Sequence, residues 1–292
     1  MFQSEICKHP QIQTVAYSPH TYLETHHWLK GAVLTHAAPA TFSGNKVYSG
    51  YGNYNSALQY TIDGIKGNVP DFQVPTDVKE LVFKGWDALC EKFAKPVFFE
   101  KSPQYIANWA SLSLMLEWAE QTSYCVKYIG LTRNPLSVQY SAFKLFFTEP
   151  EKRQFGWLEN QKNLLAFQSL VPADSFYSVK YEDIISNPQD AFSGIFSFLG
   201  LSDYSIAGRG THSKSLEKWR DDSEFQLQLD PAVKQIARKF GYSESELTNP
   251  KKPPLPKNYK RKKRMEARFK LFKTRLRDRV IIPLRLKRKN KQ

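Results

Sequence analysis

YIGLTRNPLSVQYSAF, residues 128–143, opens apolar, stops at Arg133, and passes through Asn134 and Pro135 into an evenly polar, helix-permissive run. Asparagine is a favourable helix N-cap and proline fits the first helical position, so a strand over 124–132 and a helix over 135–147 are expected. The same grammar occurs earlier. In VFFEKSPQYI, residues 97–106, the apolar residues end at Lys101, and Ser102 and Pro103 follow. A parallel sheet delivers the C-terminal end of every strand to one edge, so two cation-tipped strand ends define one candidate binding edge.

The remainder of the chain alternates in the same way. Strands are expected over 96–100 and 175–181, and helices over 103–120 and 157–170. SNPQDAFSGIFSFLG, residues 186–200, reads as a helix with Asn187 as cap, Pro188 in its first turn and Gly200 as its stop. LDPAVKQIARKFGY, residues 229–242, reads as another capped helix. Upstream, helices over Phe2–His9 and Tyr22–Leu34 flank an irregular HPQIQTVAYSPH, a Gly/Tyr/Asn loop covers FSGNKVYSGYGNYNS, and helices over 56–95 break near Pro70 and Pro75. No internal repeat is visible. Strands alternating with helices of this length imply crossover units, so the expected fold class is α/β: a central, mainly parallel sheet flanked by helices.

A chain of 292 residues, 41% hydrophobic and 14% aromatic, buries a substantial core. Cys7, Cys90 and Cys125 are odd in number and far apart, which implies neither a disulfide framework nor a metal cluster and fits a reducing compartment. The longest uncharged stretch with real apolar density, Ser102–Leu116, has 15 residues, too few to span a membrane. No basic-then-apolar leader opens the sequence, so a cytoplasmic location is expected.

The formal charge of +14 is unevenly placed. Residues 250–292 hold 19 Lys and Arg against Glu266 and Asp278, a net +17, and the remaining residues sum to −3. The division expected is therefore a domain over 1–249 and a basic extension over 250–292. Within the extension, NPKKPPLPK is a linker by composition. Met265, Phe269, Phe272, Leu276 and Val280 then fall at helical spacing as an apolar stripe on a basic helix that Pro283 ends. Such a segment docks on its own enzyme, lies on an anionic surface or meets an acidic partner, through residues 257–292. No nucleic-acid recognition motif accompanies it, so no specific nucleic-acid partner is expected.

The two strand ends carry anion chemistry. A helix opened by Asn134 directs its dipole and its first N–H groups toward the edge, a ready phosphate site. Arg133 adds a forked, charge-assisted pair, and Ser141, on the same helix face as Ser137, offers a hydroxyl. Lys101 repeats the device as a point charge. The plainer alternative makes Arg133 and Lys101 solvated ends or ion-pair partners.

These residues carry a resemblance. LTRNPLSVQYSAF resembles the 3′-phosphate-binding segment of sulfotransferases that use 3′-phosphoadenosine-5′-phosphosulfate (PAPS), where an Arg, a Pro and a Ser eight residues after the Arg recur. FFEKSP is similar to that family's Lys-bearing strand end. SVKYEDIISNPQDAFSGIFSFLGL resembles the stretch whose Tyr lies against the adenine. SLEKWRD and IARKFGY are similar to its C-terminal cofactor loop and closing helix, best in the tyrosylprotein and bacterial members. ICKHPQI resembles the helix and His-Pro turn after the first phosphate loop. The resemblance spans about residues 1–245. It implies a P-loop-like sulfotransferase fold and PAPS as sulfuryl donor. Arg133 and Ser141 would hold the 3′-phosphate, Tyr181 would pack near the adenine, Lys218 would reach a phosphate, and Lys101 would stand by the sulfuryl group. It also implies a 5′-phosphosulfate loop rich in Gly, Ser and Thr just before FQSEICKHP. This sequence lacks it and SGYGNYNS does not replace it, so the expectation is either that the loop and first strand belong upstream of Met1 or that the chain does not grip the sulfonate end of the donor.

Transfer to a hydroxyl or amine requires a group that takes the acceptor's proton, a His or Glu in this family. His20, Glu24, His26 and His27 in SPHTYLETHHW and Glu100 beside Lys101 are the candidates, with His20 first because it falls near the family's position for this group. Adjacent histidines on a helix point in different directions and no third ligand is evident, so no metal is expected. The acceptor class is left open by the sequence, since acceptor pockets are built from variable loops. A non-catalytic remnant that binds nucleotide or an acidic partner is the alternative function.

Overall fold

The computed structural model describes residues 1–20, 22–35, 53–146, 148–205, 207–210, 216–259, 265–266 and 269. In chain order it contains α1 (Phe2–Ile6), β1 (Ile12–Gln13), α2 (His27–Leu34), α3 (Tyr54–Lys66), α4 (Val78–Phe93), β2 (Val97–Phe98), α5 (Trp109–Gln121) and β3 (Tyr128–Thr132). There follow α6 (Pro135–Phe146), α7 (Pro150–Leu170), β4 (Phe176–Lys180), α8 (Tyr181–Ser186), α9 (Pro188–Phe198), α10 (Lys218–Asp221) and α11 (Pro231–Lys239). The chain divides into two compact units, Met1–Arg133 with Gly156–Ser215, and Asn134–Phe155 with Leu216–Gln292.

The first unit holds the four strands found among the described residues. β1 pairs in parallel with β2, Ile12 opposite Val97, and β3 pairs in parallel with β4 from Tyr128 opposite Phe176 to Thr132 opposite Lys180. The expected parallel α/β arrangement is present, as two separate two-stranded ladders among the described residues. β1 runs through the stretch read as irregular, because HPQIQTV has only two residues paired and no alternating pattern long enough to signal a strand. The ladders share a core: Ile12 and Val179 are buried with Phe2, Ile6, Ile184, Phe192, Ile195 and Phe196, while Ile129 and Leu131 pack on that cluster.

Helix starts follow their caps. The Asn53 side chain accepts from Ser56 N and the Ser56 hydroxyl answers the Asn53 N–H, a capping box at α3. Asp77 accepts from Glu80 N at α4, and Asn108 from Ser111 N at α5. The helix expected over 103–120 is therefore split: a short 3-10 turn, Tyr105–Ala107, precedes the cap. Gly200, at φ 70°, ends α9 as expected, since that left-handed conformation suits glycine.

One helix starts later than its apolar pattern predicts. α2 begins only at His27, not Tyr22, because Leu23 and His26 take positive φ, 54° and 50°. From there it is buried on every side, with Trp28 against Trp86 and Trp118 at 5.1 and 5.7 Å between ring centres. The expected loop over 42–56 falls largely outside the described residues. So do Phe272, Leu276 and Val280 of the C-terminal stripe, while Met265 and Phe269 are helical and exposed. The three cysteines are free thiols. Among the described residues no helix is long and apolar enough to cross a membrane.

Candidate active site

Lys101 follows β2 by three residues, and its ammonium donates to Oε1 of Glu24. The other carboxylate oxygen, Oε2, lies 3.2 Å from His26 Nε2, 3.4 Å from Gln104 Nε2 and 3.5 Å from His20 Nδ1. Burial alone would raise the Glu24 carboxyl, but hydrogen bonds from His26 and Lys101 outweigh it and hold the group at about 2. Burial draws His20 below its usual range, with Glu24 pulling it up and His26 and Lys101 pushing it down. The expected catalytic lysine and first-choice base thus meet on one carboxylate, that of Glu24. The sequence named Glu24 as one of several bases; only the fold shows it between the other two.

Glu100 faces a different set of partners. Its Oε1 accepts from Thr25 N at 3.1 Å, from Thr25 Oγ1 at 2.9 Å and from the Ser102 hydroxyl. Burial pushes its carboxyl up against those donors. Ser102 in turn accepts from His26 N at 3.1 Å, so Glu100 and Ser102 fix the backbone on either side of Thr25. Tyr105 OH closes the group at 3.1 Å from Thr25 Oγ1. Neither Thr25 nor Tyr105 carried a sequence signal, since each reads as an ordinary loop or helix residue.

His26 and His27 do point apart, as expected. His27 Nε2 donates to Val82 O at 2.7 Å, and burial brings its imidazole down to about 4, so it is a core residue of the α2–α4 contact. The expectation that no third group joins a histidine pair needs correction. His20, Glu24 and His26 do gather, with donor atoms within 4.8 Å of one another. The set nonetheless fits a metal poorly. Lys101 already occupies the carboxylate, and ligation at His26 Nε2 would move that ring's proton to Nδ1, a buried atom that meets no partner among the described residues.

Arg133, the next residue after β3, is held from both ends. Trp157 Nε1 donates to its carbonyl at 3.1 Å, and its Cζ stands 4.4 Å from the centre of the Tyr181 ring. Its Nε is buried and meets no acceptor among the described residues. Tyr181 is the first residue of α8 rather than the end of a strand. β3 and β4 are parallel neighbours in register, so the residues after Thr132 and Lys180, Arg133 and Tyr181, emerge side by side.

In the second unit, Asn134 caps α6. Its Oδ1 accepts from Leu136 N at 2.9 Å and Ser137 N at 3.3 Å, and Pro135 has no N–H. The first N–H groups of this helix are therefore spent on its own cap, contrary to the expectation that they meet an anion. Ser137 is buried, with its hydroxyl accepting from Trp219 Nε1 at 3.2 Å. Ser141 lies further along α6, half-buried, and Lys218 is exposed at the first position of α10.

Residues 57–205 match the Sulfotransferase family, half of the chain. The chain belongs to the sulfotransferase family. Among solved structures, this chain is 19% identical to the "Sulfotransferase Domain from the Synechococcus PCC 7002 Olefin Synthase", with a TM-score of 0.55 over 83% of this chain and 90% of that one. That likeness shows the α/β sulfotransferase fold. The "Sulfotransferase Domain from the Curacin Biosynthetic Pathway" is 20% identical, with a TM-score of 0.49 over 75% of this chain and 87% of that one. No curated protein matches the sequence.

Proposed function

We propose that this chain transfers a sulfuryl group from PAPS to a hydroxyl or amine. The observation that carries the reading is Arg133. Its guanidinium is always charged, is stacked on Tyr181, and has a buried Nε that meets no acceptor among the described residues. A buried charged donor costs free energy until an acceptor meets it, and a phosphate oxygen of the nucleotide is the acceptor proposed. Tyr181 stiffens that donor. Its ring is engaged by Arg133, so contact with adenine falls to the ring's remaining edge or face.

When bound, the donor supplies the sulfuryl group, whose S–O bond to the 5′-phosphate breaks as the acceptor oxygen or nitrogen bonds to sulfur. Lys101 stabilises the charge left on the bridging oxygen, an electrostatic contribution that dominates such transfers. His20, drawn below its usual range by burial, takes the acceptor's proton. Glu100, tied to Thr25 and Ser102, supports the backbone of this site. Ser141 and Lys218, in the second unit, are proposed nucleotide contacts that rest on the resemblance alone.

Two measurements test the reading. Calorimetry with 3′-phosphoadenosine-5′-phosphate should show one site in the wild type and a much weaker one in Arg133→Ala. Incubation with radiolabelled PAPS and a panel of peptide, glycan, lipid and small-molecule acceptors should label at least one class. Equal nucleotide binding by both proteins, or none by either, sinks the proposal.

A further inference from the structure

Glu24 lies between two strained residues. Leu23 and His26 both take positive φ, which costs non-glycine residues of order 1–3 kcal/mol each and persists only where the surroundings enforce it. The surroundings here are specific. Ser18 Oγ donates to the Glu24 carbonyl at 2.6 Å, Tyr60 OH donates to the same oxygen at 3.2 Å, and Ser102 Oγ holds His26 N at 3.1 Å. The distorted segment leaves the Glu24 side chain 7% exposed, with one oxygen on Lys101 and the other among His20, His26 and Gln104.

We propose that Glu24 is the positioning residue of this sulfotransferase, coupling Lys101 to His20 through the two oxygens of one carboxylate. The proposal rests on the sulfuryl-transfer reading above. Through Oε1 it restrains a lysine whose free rotamers would otherwise be lost at the reacting group. Through Oε2 it places negative charge 3.5 Å from His20 Nδ1, in competition with the Tyr22 N–H that donates to the same nitrogen at 3.4 Å; when the carboxylate holds the proton on Nδ1, the lone pair is left on Nε2. The acceptor's proton then goes to Nε2, and the carboxylate stabilises the imidazolium formed, while Glu24 itself keeps its charge. The groups that face His20 are Glu24, His26 and Lys101, together with the ring of Tyr22 at 5.5 Å and the Tyr22 N–H, which donates to Nδ1 at 3.4 Å. His26 is in turn backed by Tyr60 from α3, ring centres 6.0 Å apart, and also feels the Glu100 carboxyl; Glu24 is the carboxylate that lies against both histidines, 3.5 Å from His20 and 3.2 Å from His26.

The experiment compares wild type, Glu24→Gln and Glu24→Asp in two readouts. The first is the titration of the His20 ring signals by NMR, assigned with His20→Ala, which needs no acceptor. The second is kcat and KM with PAPS and the acceptor found in the labelling screen. The His20 midpoint should move down in Glu24→Gln, kcat should fall by about 100-fold with little change in KM for PAPS, and Glu24→Asp should recover part of both. An unmoved His20 midpoint, or a kcat loss that Glu24→Asp does not relieve, overturns the coupling. If instead the wild type neither binds the nucleotide nor transfers sulfate, the functional reading fails, while the NMR titration still decides whether Glu24 governs His20.

Discussion

The Cζ atom of Arg133 stands 4.4 Å from the centre of the Tyr181 ring, and both residues are the first beyond neighbouring parallel strands. A ring beneath a guanidinium holds its plane while leaving the edge donors free, which is the state a bidentate anion contact uses. Arg133→Ala should weaken binding of 3′-phosphoadenosine-5′-phosphate by roughly 10- to 100-fold, the range of a charged hydrogen bond. Tyr181→Leu, which removes the platform but not the charge, should cost less, about 2- to 30-fold. Calorimetry on the two variants gives the order, and a larger effect from Tyr181→Leu would reverse the roles assigned here.

Lys101 is the proposed charge at the bridging oxygen. Lys101→Ala should lower kcat by about 100-fold or more while leaving nucleotide affinity within about 3-fold, because an interaction made chiefly in the transition state is lost. A variant that loses nucleotide binding and keeps kcat would move Lys101 from the reacting group to the binding site.

Glu24 also makes a prediction about acid. Its carboxyl sits at about 2 in the fold against 4.5 in the unfolded reference, so the folded state releases its proton more readily. The stabilisation is complete above pH 4.5 and is lost as pH falls toward 2. Chemical denaturation of the wild type should therefore show stability dropping across that window, by on the order of 3 kcal/mol from this group. Glu24→Gln should be less stable at neutral pH and flatter across the same window. Parallel slopes in the two proteins would show that the ion pair with Lys101 contributes nothing to folding.

Gly130 lies in the middle of β3 with Phe176 folded over it, and a Cβ there would stand 2.6 Å from Phe176 Cζ. Both residues belong to the β3–β4 ladder, and the buried Phe176 ring must shift to admit the methyl, next to the register that sets Arg133 beside Tyr181. Gly130→Ala should cost about 1–3 kcal/mol, the usual penalty of overpacking. It should also weaken nucleotide binding more than Lys101→Ala does. Thermal melts and calorimetry on one preparation test both statements.

In the second unit, Trp219 is almost fully buried and its indole N–H has the Ser137 hydroxyl as acceptor. Ser137→Ala leaves that N–H without its acceptor and should destabilise the protein by about 1–3 kcal/mol. Thermal denaturation showing no loss would mean that another acceptor takes the N–H.

Much of this was legible in the residues. Asn-Pro after Arg133 and Asp-Pro at Asp230 placed two helix starts, because capping is decided by a few neighbouring atoms. The parallel pairing was legible from the alternation of strands and helices. His20, Glu24, Glu100 and Lys101 were recognisable as candidate chemistry by residue type alone. Glu24's place among them was not, since Lys101 lies far along the chain from it. Nor was the late start of α2, because the apolar spacing of Tyr22–Leu34 is helical and only the backbone twist at Leu23 and His26 breaks it.

The amino-acid order alone thus determined the local grammar, the caps, the strand ends and the charge each delivers, because those depend on neighbours within a turn. Tertiary structure decided which charges meet. Glu24 joins Lys101 to His20, and Arg133 lies on Tyr181, only because strand register and a strained segment bring distant residues within a few ångströms, and no sequence spacing encodes that distance.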